Sequence, residues 1–203
     1  MNVGVLALQG DYTAHAGALA RAGARAVLVR GPAPLARLDA LVLPGGESTA
    51  MLFGIAREGL EEPLRGFFAS GRPVLGTCAG AILLARRVTN PAQRSFGALD
   101  IDVERNAYGT QLDSFVTVTD AGPGHADLTG LPAVFIRAPR IVRIGTAIEV
   151  LARVGGEPVL VRSAAVWAAT FHPELTDDDR VLRAWLHESA QSRALPESVS
   201  APH

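Results

Sequence analysis

The sequence predicts an α/β protein, an open and mostly parallel sheet with helices on both faces. Two observations carry this expectation. Short apolar runs alternate with helical segments over the first eighty-five residues, as parallel βαβ units require. The second half then changes to short runs of β-rich composition, which adds antiparallel strands to the carboxyl-terminal part of the fold.

The elements follow in order. Residues 3–8 are apolar throughout and read as a buried strand, and residues 13–22 as a short helix ended by Gly23. Residues 26–29 form a second strand. Residues 41–43 form a third, broken by Pro44, Gly45 and Gly46, with Ser48 as the expected cap of the helix that follows. Val74 and Leu75 lead into the small-residue corner Gly-Thr-Cys-Ala-Gly at 76–80, and an apolar helical segment comes next. Residues 115–118, 134–136, 141–144 and 149–154 are β-rich. Gly155 and Gly156 join the last of these to residues 158–161 as a hairpin. A further strand, 166–171, ends at His172. A helix is predicted from Thr176, with Thr176 as its cap and Asp177, Asp178 and Asp179 in its first turn, where carboxylates suit the positive end of the helix dipole. Val181, Leu182, Trp185 and Leu186 make its apolar stripe. No internal repeat interrupts residues 1–193, which read as one domain. Residues 194–203 read as a disordered tail, with Pro, Ser and no periodicity from about Leu195 onward.

Composition narrows the function. With 48% apolar residues and a net charge of −1, the chain is neither disordered nor a basic nucleic-acid binder. No apolar run approaches the roughly 20 residues of a membrane span. The single cysteine excludes an internal disulfide, so the expected location is the cytoplasm. All 19 basic residues are arginine. This chain therefore cannot form a lysine Schiff base or supply the lysine of a phosphate-binding loop.

Chemistry centres on Cys78. A thiol at a strand-to-helix bend stands at the carboxyl edge of the sheet, beside a helix N-terminus that favours the thiolate. The competing reading is a buried cysteine filling a core gap; the glycines flanking the bend argue against it. A cysteine nucleophile needs a base and a group to hold that base. Of the five histidines, His203 falls in the tail, His187 in the last helix and His125 in a Pro-Gly loop, while His15 is expected to be solvated on the first helix. His172 closes a strand and precedes Pro173 and Glu174. Pro173 disfavours helix at the residue before it, and extended backbone places residues i and i+2 on one side. Glu174 is thus placed to fix the His172 tautomer. An oxyanion would find backbone donors at Gly46, in the Gly-rich loop after the third strand, and at Ala79. That loop also reads as an ordinary turn, and the two readings are compatible. Its Gly45-Gly46 pair lacks the spacing of a dinucleotide fingerprint, and neither a cofactor nor a metal is expected.

These residues carry a resemblance. The segments Gly-Val-Leu-Ala-Leu-Gln-Gly-Asp at 4–11, Leu-Pro-Gly-Gly-Glu-Ser-Thr at 43–49, Gly-Thr-Cys-Ala-Gly at 76–80, Arg-Asn-Ala-Tyr-Gly at 105–109, Gln-Leu-Asp-Ser-Phe at 111–115, Phe-Ile-Arg-Ala-Pro at 135–139 and Phe-His-Pro-Glu-Leu at 171–175 span nearly the whole chain. They resemble class I glutamine amidotransferases, Cys-His-Glu glutaminases of flavodoxin-like three-layer α/β/α architecture. Within that group they are most similar to the glutaminase subunits of pyridoxal 5′-phosphate synthases. The resemblance implies hydrolysis of L-glutamine to glutamate and ammonia by Cys78, His172 and Glu174. It implies a glutamine site built from Gly46, Glu47, Ser48, Arg105, Ile136 and Arg137. Either arginine could take the α-carboxylate or form a surface ion pair instead. The partner implied is a lyase subunit in a large ring assembly, with glutaminase subunits on its outside, that makes pyridoxal phosphate from ribose 5-phosphate and glyceraldehyde 3-phosphate. The free glutaminase is expected to be poorly active. A class I glutaminase serving a different synthase is the alternative. Neither nucleic acid nor membrane enters this reading. Thr110 and the segment beyond about Arg193 depart from the family pattern, and neither touches the expected triad.

Overall fold

A computed structural model of the protein describes residues 1–105 and 114–194. The strands are β1 (Asn2–Leu6), β2 (Arg25–Val29), β3 (Ala40–Leu43), β4 (Val74–Thr77), β5 (Ala85–Thr89), β6 (Leu99–Glu104) and β7 (Ser114–Val118), then β8 (Asp120–Ala121), β9 (Pro132–Ile136), β10 (Arg140–Ile144), β11 (Glu149–Val154), β12 (Glu157–Ser163) and β13 (Val166–Ala169). The helices are α1 (Tyr12–Arg21), α2 (Ser48–Arg57), α3 (Glu61–Ala69), α4 (Ala79–Leu84) and α5 (Arg180–Ala194).

Eight strands form the main sheet in the order β2-β1-β3-β4-β13-β12-β11-β8. The first five run parallel, and β12, β11 and β8 extend the sheet antiparallel. This is the doubly wound order of flavodoxin-like folds, in which ligands collect beyond the carboxyl ends of the strands. Every residue of β3 and β4 is buried, as helices on both faces demand. One core packs Leu43, Met51, Ile55, Leu64, Phe67 and Leu83 on the α2, α3 and α4 face. The other packs Val5, Leu19, Phe135, Phe171, Leu182 and Trp185 on the α1 and α5 face. The hairpin turn falls at Gly155 and Gly156, both at positive φ, with Val154 paired to Glu157. Two smaller sheets, β10-β6-β5 and β7-β9, pack beside the main one. The second matters most for function, because β9 ends at Ile136, directly before Arg137.

Two helix starts differ from expectation. α2 is capped by Glu47, whose carboxylate accepts from the backbone N–H groups of Thr49 (3.0 Å) and Ala50 (2.6 Å). Ser48 is the first helical residue instead. α5 begins at Arg180, four residues after Thr176, so the three aspartates precede the helix rather than fill its first turn. The reason is both local and tertiary: the Asp178 carboxylate accepts from the Arg180 backbone N–H at 3.1 Å, which caps the helix there. Arg21, at the end of α1, donates to the Thr176 carbonyl at 3.0 Å and to Asp179 at 2.9 Å, which holds this stretch in a non-helical path. The same helix continues through Ala194, the first residue assigned to the tail; the rest of that tail lies outside the described residues. So do residues 106–113, which hold Thr110 and parts of two of the motif segments.

Candidate active site

Cys78 sits between the end of β4 and the start of α4 with φ 47° and ψ −103°. A non-glycine residue adopts that conformation only when its surroundings enforce it, at a cost of about 1–3 kcal/mol. Here both sides of the residue are held. Its N–H donates to the Ala169 carbonyl at 2.9 Å, and its carbonyl accepts from Ile82 at 3.2 Å. Gly80 lets α4 lie directly on β3, since a Cβ there would stand 2.0 Å from the Leu43 carbonyl oxygen. The bend is therefore an architectural consequence of close packing, and it presents Sγ at 3.9 Å from the Ile136 carbonyl.

His172 follows β13 and is anchored by its own N–H, which donates to the Val134 carbonyl at 2.9 Å. Residues Pro173–Leu175 then make one 3-10 turn. That turn, rather than the extended backbone expected, folds Glu174 back so that Oε1 lies 2.7 Å from His172 Nδ1. Both side chains are buried. Burial opposes charge on the His172 ring, but its hydrogen bonds and charge interactions with Cys78 and Glu174 prevail and push its pKa up to about 10. Burial would likewise raise Glu174, yet the donors of His15 and His172, with the positive charge those rings carry when protonated, hold it down at about 2. The three expected residues thus meet around one ring, the His172 imidazole bonding the Glu174 carboxylate on one side and lining the same cavity as the Cys78 thiol on the other.

The loop after β3 closes the other side. Gly45 lies flat against the imidazole, where a Cβ would stand 2.2 Å from His172 Cε1, so no larger residue fits beside the ring. The Glu47 N–H donates to the Gln9 side chain at 2.8 Å, joining this loop to the one after β1. A cavity of about 300 Å³ opens between these loops. It is lined by Cys78 and His172 and by all six expected substrate residues: Gly46, Glu47, Ser48, Arg105, Ile136 and Arg137. Ala79 lies at the first position of α4, buried. Arg105 is held to Glu47 Oε1 at 3.2 Å and to Thr49 at 3.4 Å. Burial would raise the Glu47 pKa, but the two backbone donors of its cap, then Thr49 and Arg105, bring it below the ordinary range. Ser48 Oγ donates to Gln93 at 2.9 Å. Among the described residues Arg137 makes no ion pair, and no group of three or more His, Cys, Asp or Glu could hold a metal ion.

Gln9, Gly10, Asp11 and Ile82 also line the cavity. The topology signalled the first two, because the loop after the first strand ends at the same sheet edge. His15 is a correction. Expected on a solvated face, it has no exposed surface, and its Nε2 lies 2.9 Å from Thr77 Oγ1 and 3.3 Å from Glu174 Oε1.

A cysteine, a histidine and a carboxylate at the carboxyl edge of a flavodoxin-like sheet define the architecture of the triad glutamine amidotransferases. The chain belongs to the SNO glutamine amidotransferase family, whose model matches residues 5–192. It is 53% identical over 182 residues to pyridoxal 5′-phosphate synthase subunit PdxT of Solibacter usitatus, covering 88% of this chain and 94% of that protein. Subunit PdxT of Geobacillus thermodenitrificans is 45% identical over 196 residues, covering 96% and 98%. A solved glutamine amidotransferase superimposes with a TM-score of 0.85 at 45% identity, covering 93% of this chain and 98% of that one. The structure of PurLQS from Thermotoga maritima, 16% identical with a TM-score of 0.66, shares the fold alone.

Proposed function

We propose that this chain is the glutaminase subunit of a pyridoxal 5′-phosphate synthase, hydrolysing L-glutamine to L-glutamate and ammonia. The observation that carries the reading is the Cys78–His172–Glu174 row opening onto a cavity sized for one amino acid, in a chain 53% identical to a synthase subunit of that name. Cys78 Sγ attacks the side-chain amide carbon, and the electrons of the C=O bond move to oxygen. Backbone N–H groups at Gly46 and Ala79 receive that oxyanion. His172, protonated, gives its proton to the departing nitrogen as the C–N bond breaks, leaving a thioester and ammonia. Water then loses a proton to His172 and attacks the thioester, and Cys78 leaves as glutamate forms. Glu174 keeps the Nδ1 proton in place through both steps. Arg137, without an ion pair among the described residues, suits the α-carboxylate, whereas Arg105 is engaged by Glu47.

Ammonia passes to a synthase subunit, which supplies the imine chemistry that a chain without lysine cannot. We place the glutaminase on the outside of a ring of such subunits, in the cytoplasm. Among the described residues no helix is long and apolar enough to cross a membrane. The test is ammonia release from glutamine by this chain, alone and mixed with the synthase subunit. Low activity alone, clear stimulation by the partner and loss in Cys78→Ala are expected. Activity persisting in Cys78→Ala would overturn the nucleophile. Stimulation by an unrelated synthase instead would favour a different branch of the class.

A further inference from the structure

One buried titratable side chain beside the triad has no part in the steps above. His15 projects from α1 into the core, and its Nε2 reaches Thr77 Oγ1 (2.9 Å) and Glu174 Oε1 (3.3 Å). Its other nitrogen, Nδ1, is buried without a partner among the described residues. A donor left unpaired in the interior is costly, so the ring proton belongs on Nε2, the nitrogen that faces acceptors. Nε2–H is then shared between Thr77 and the carboxylate. Glu174 Oε1 thereby receives two donors, this one and His172 Nδ1 at 2.7 Å, while Oε2 receives none among the described residues. Thr77 is the residue immediately before Cys78 and the last of β4.

We infer that His15 is a positioning residue, tying the triad carboxylate to the strand end that carries the nucleophile. The inference rests on the glutaminase reading of the site. With only His172 as donor, Glu174 could turn either oxygen towards the imidazole, and the ring would lose its fixed aim at Cys78. With His15 in place, Oε1 is committed between two rings, and α1 joins β4 to the turn at Pro173. The sequence placed His15 near neither. A polar residue on a short helix carries no local sign that its partner is a carboxylate far along the chain.

The test compares His15 variants in ammonia release with the synthase subunit present. His15→Leu, of similar bulk but without a donor, should lower kcat about 10- to 100-fold, the size of loss that follows removal of a hydrogen-bond partner orienting a metal-bound side chain, with KM unchanged. His15→Gln, whose side-chain N–H group takes the place of Nε2, should recover most of that loss. In a Glu174→Ala background, His15→Leu should cost nothing further, because its effect passes through the carboxylate. Should His15→Leu fail to fold, His15→Asn replaces it; its shorter amide falls short of Glu174, and kcat should drop as for Leu. Wild-type kcat in the variant lacking the donor, no recovery by Gln, or an undiminished penalty without Glu174 would each overturn the inference. Absence of ammonia release by the wild-type complex would instead strike at the glutaminase reading.

Discussion

Two opposed pKa shifts set the behaviour of the triad residue by residue. His172 is raised to about 10, so its stabilising interaction is complete below the ordinary histidine value of 6.5 and fades as pH climbs towards 10. Glu174 is lowered to about 2, so its contribution is complete above 4.5 and is lost as pH falls towards 2. The pair therefore supports the fold most between pH 4.5 and 6.5. The alkaline side is unusually legible here. With no lysine and only two tyrosines, few other groups titrate between pH 7 and 11. In Cys78→Ala one of the two partners that raise His172 disappears, and the alkaline loss of stability should begin closer to neutrality. Thermal melts at closely spaced pH values will show it; an alkaline limb identical in wild type and variant would mean that the sulfur does not engage the ring.

Among the elements, the decisive contacts are backbone against backbone, and glycine substitutions distinguish them. Gly80→Ala puts a methyl 2.0 Å from the Leu43 carbonyl oxygen, and neither α4 nor β3 can yield without moving Cys78. Overpacking of this kind costs about 1–3 kcal/mol, more than the gain in helix propensity at an end position returns. Gly66 in α3 faces open space, and the same substitution there should stabilise by up to about 1 kcal/mol. Urea midpoints of the two variants should move in opposite directions, with glutaminase kcat falling only for Gly80→Ala. A stable, active Gly80→Ala would show that the bend does not depend on this contact. The same scale explains what could be read in advance. Buried strands such as β3 and β4 are short apolar runs bounded by glycine, and the bend at Cys78 is written in five consecutive small residues. The caps were harder. Ser48 and Thr176 are good local candidates, but Glu47 outcompetes Ser48 by reaching the N–H groups of Thr49 and Ala50, and the Arg21–Asp179 pair acts through a contact that neighbouring residues do not encode. His15 failed for the same reason, since its acceptors come from β4 and from the turn after β13.

At the scale of the whole molecule, the site belongs to both cores rather than to a detachable edge. The loop residues come from the ends of β1, β3, β4, β9 and β13, while α1 and α5 close the face against which His15 is buried. Arg183 of α5 also donates to the Arg21 carbonyl at 3.1 Å, fastening the two helices end to end. Trp185 is the largest fully buried side chain on that face. Trp185→Ala should remove about 3–5 kcal/mol, a large part of the roughly 5–15 kcal/mol that holds an ordinary domain together. Trp167, buried on β13, remains as a fluorescent reporter in the variant. Urea unfolding followed by its emission should shift to a lower midpoint with an unchanged slope. Glutaminase activity should disappear along the same curve in wild type and variant, because no part of the triad can loosen without opening a core. Activity lost well before the emission changes would instead show that the carboxyl edge of the sheet unfolds on its own, and that α1 and α5 contribute less to the site than their packing implies.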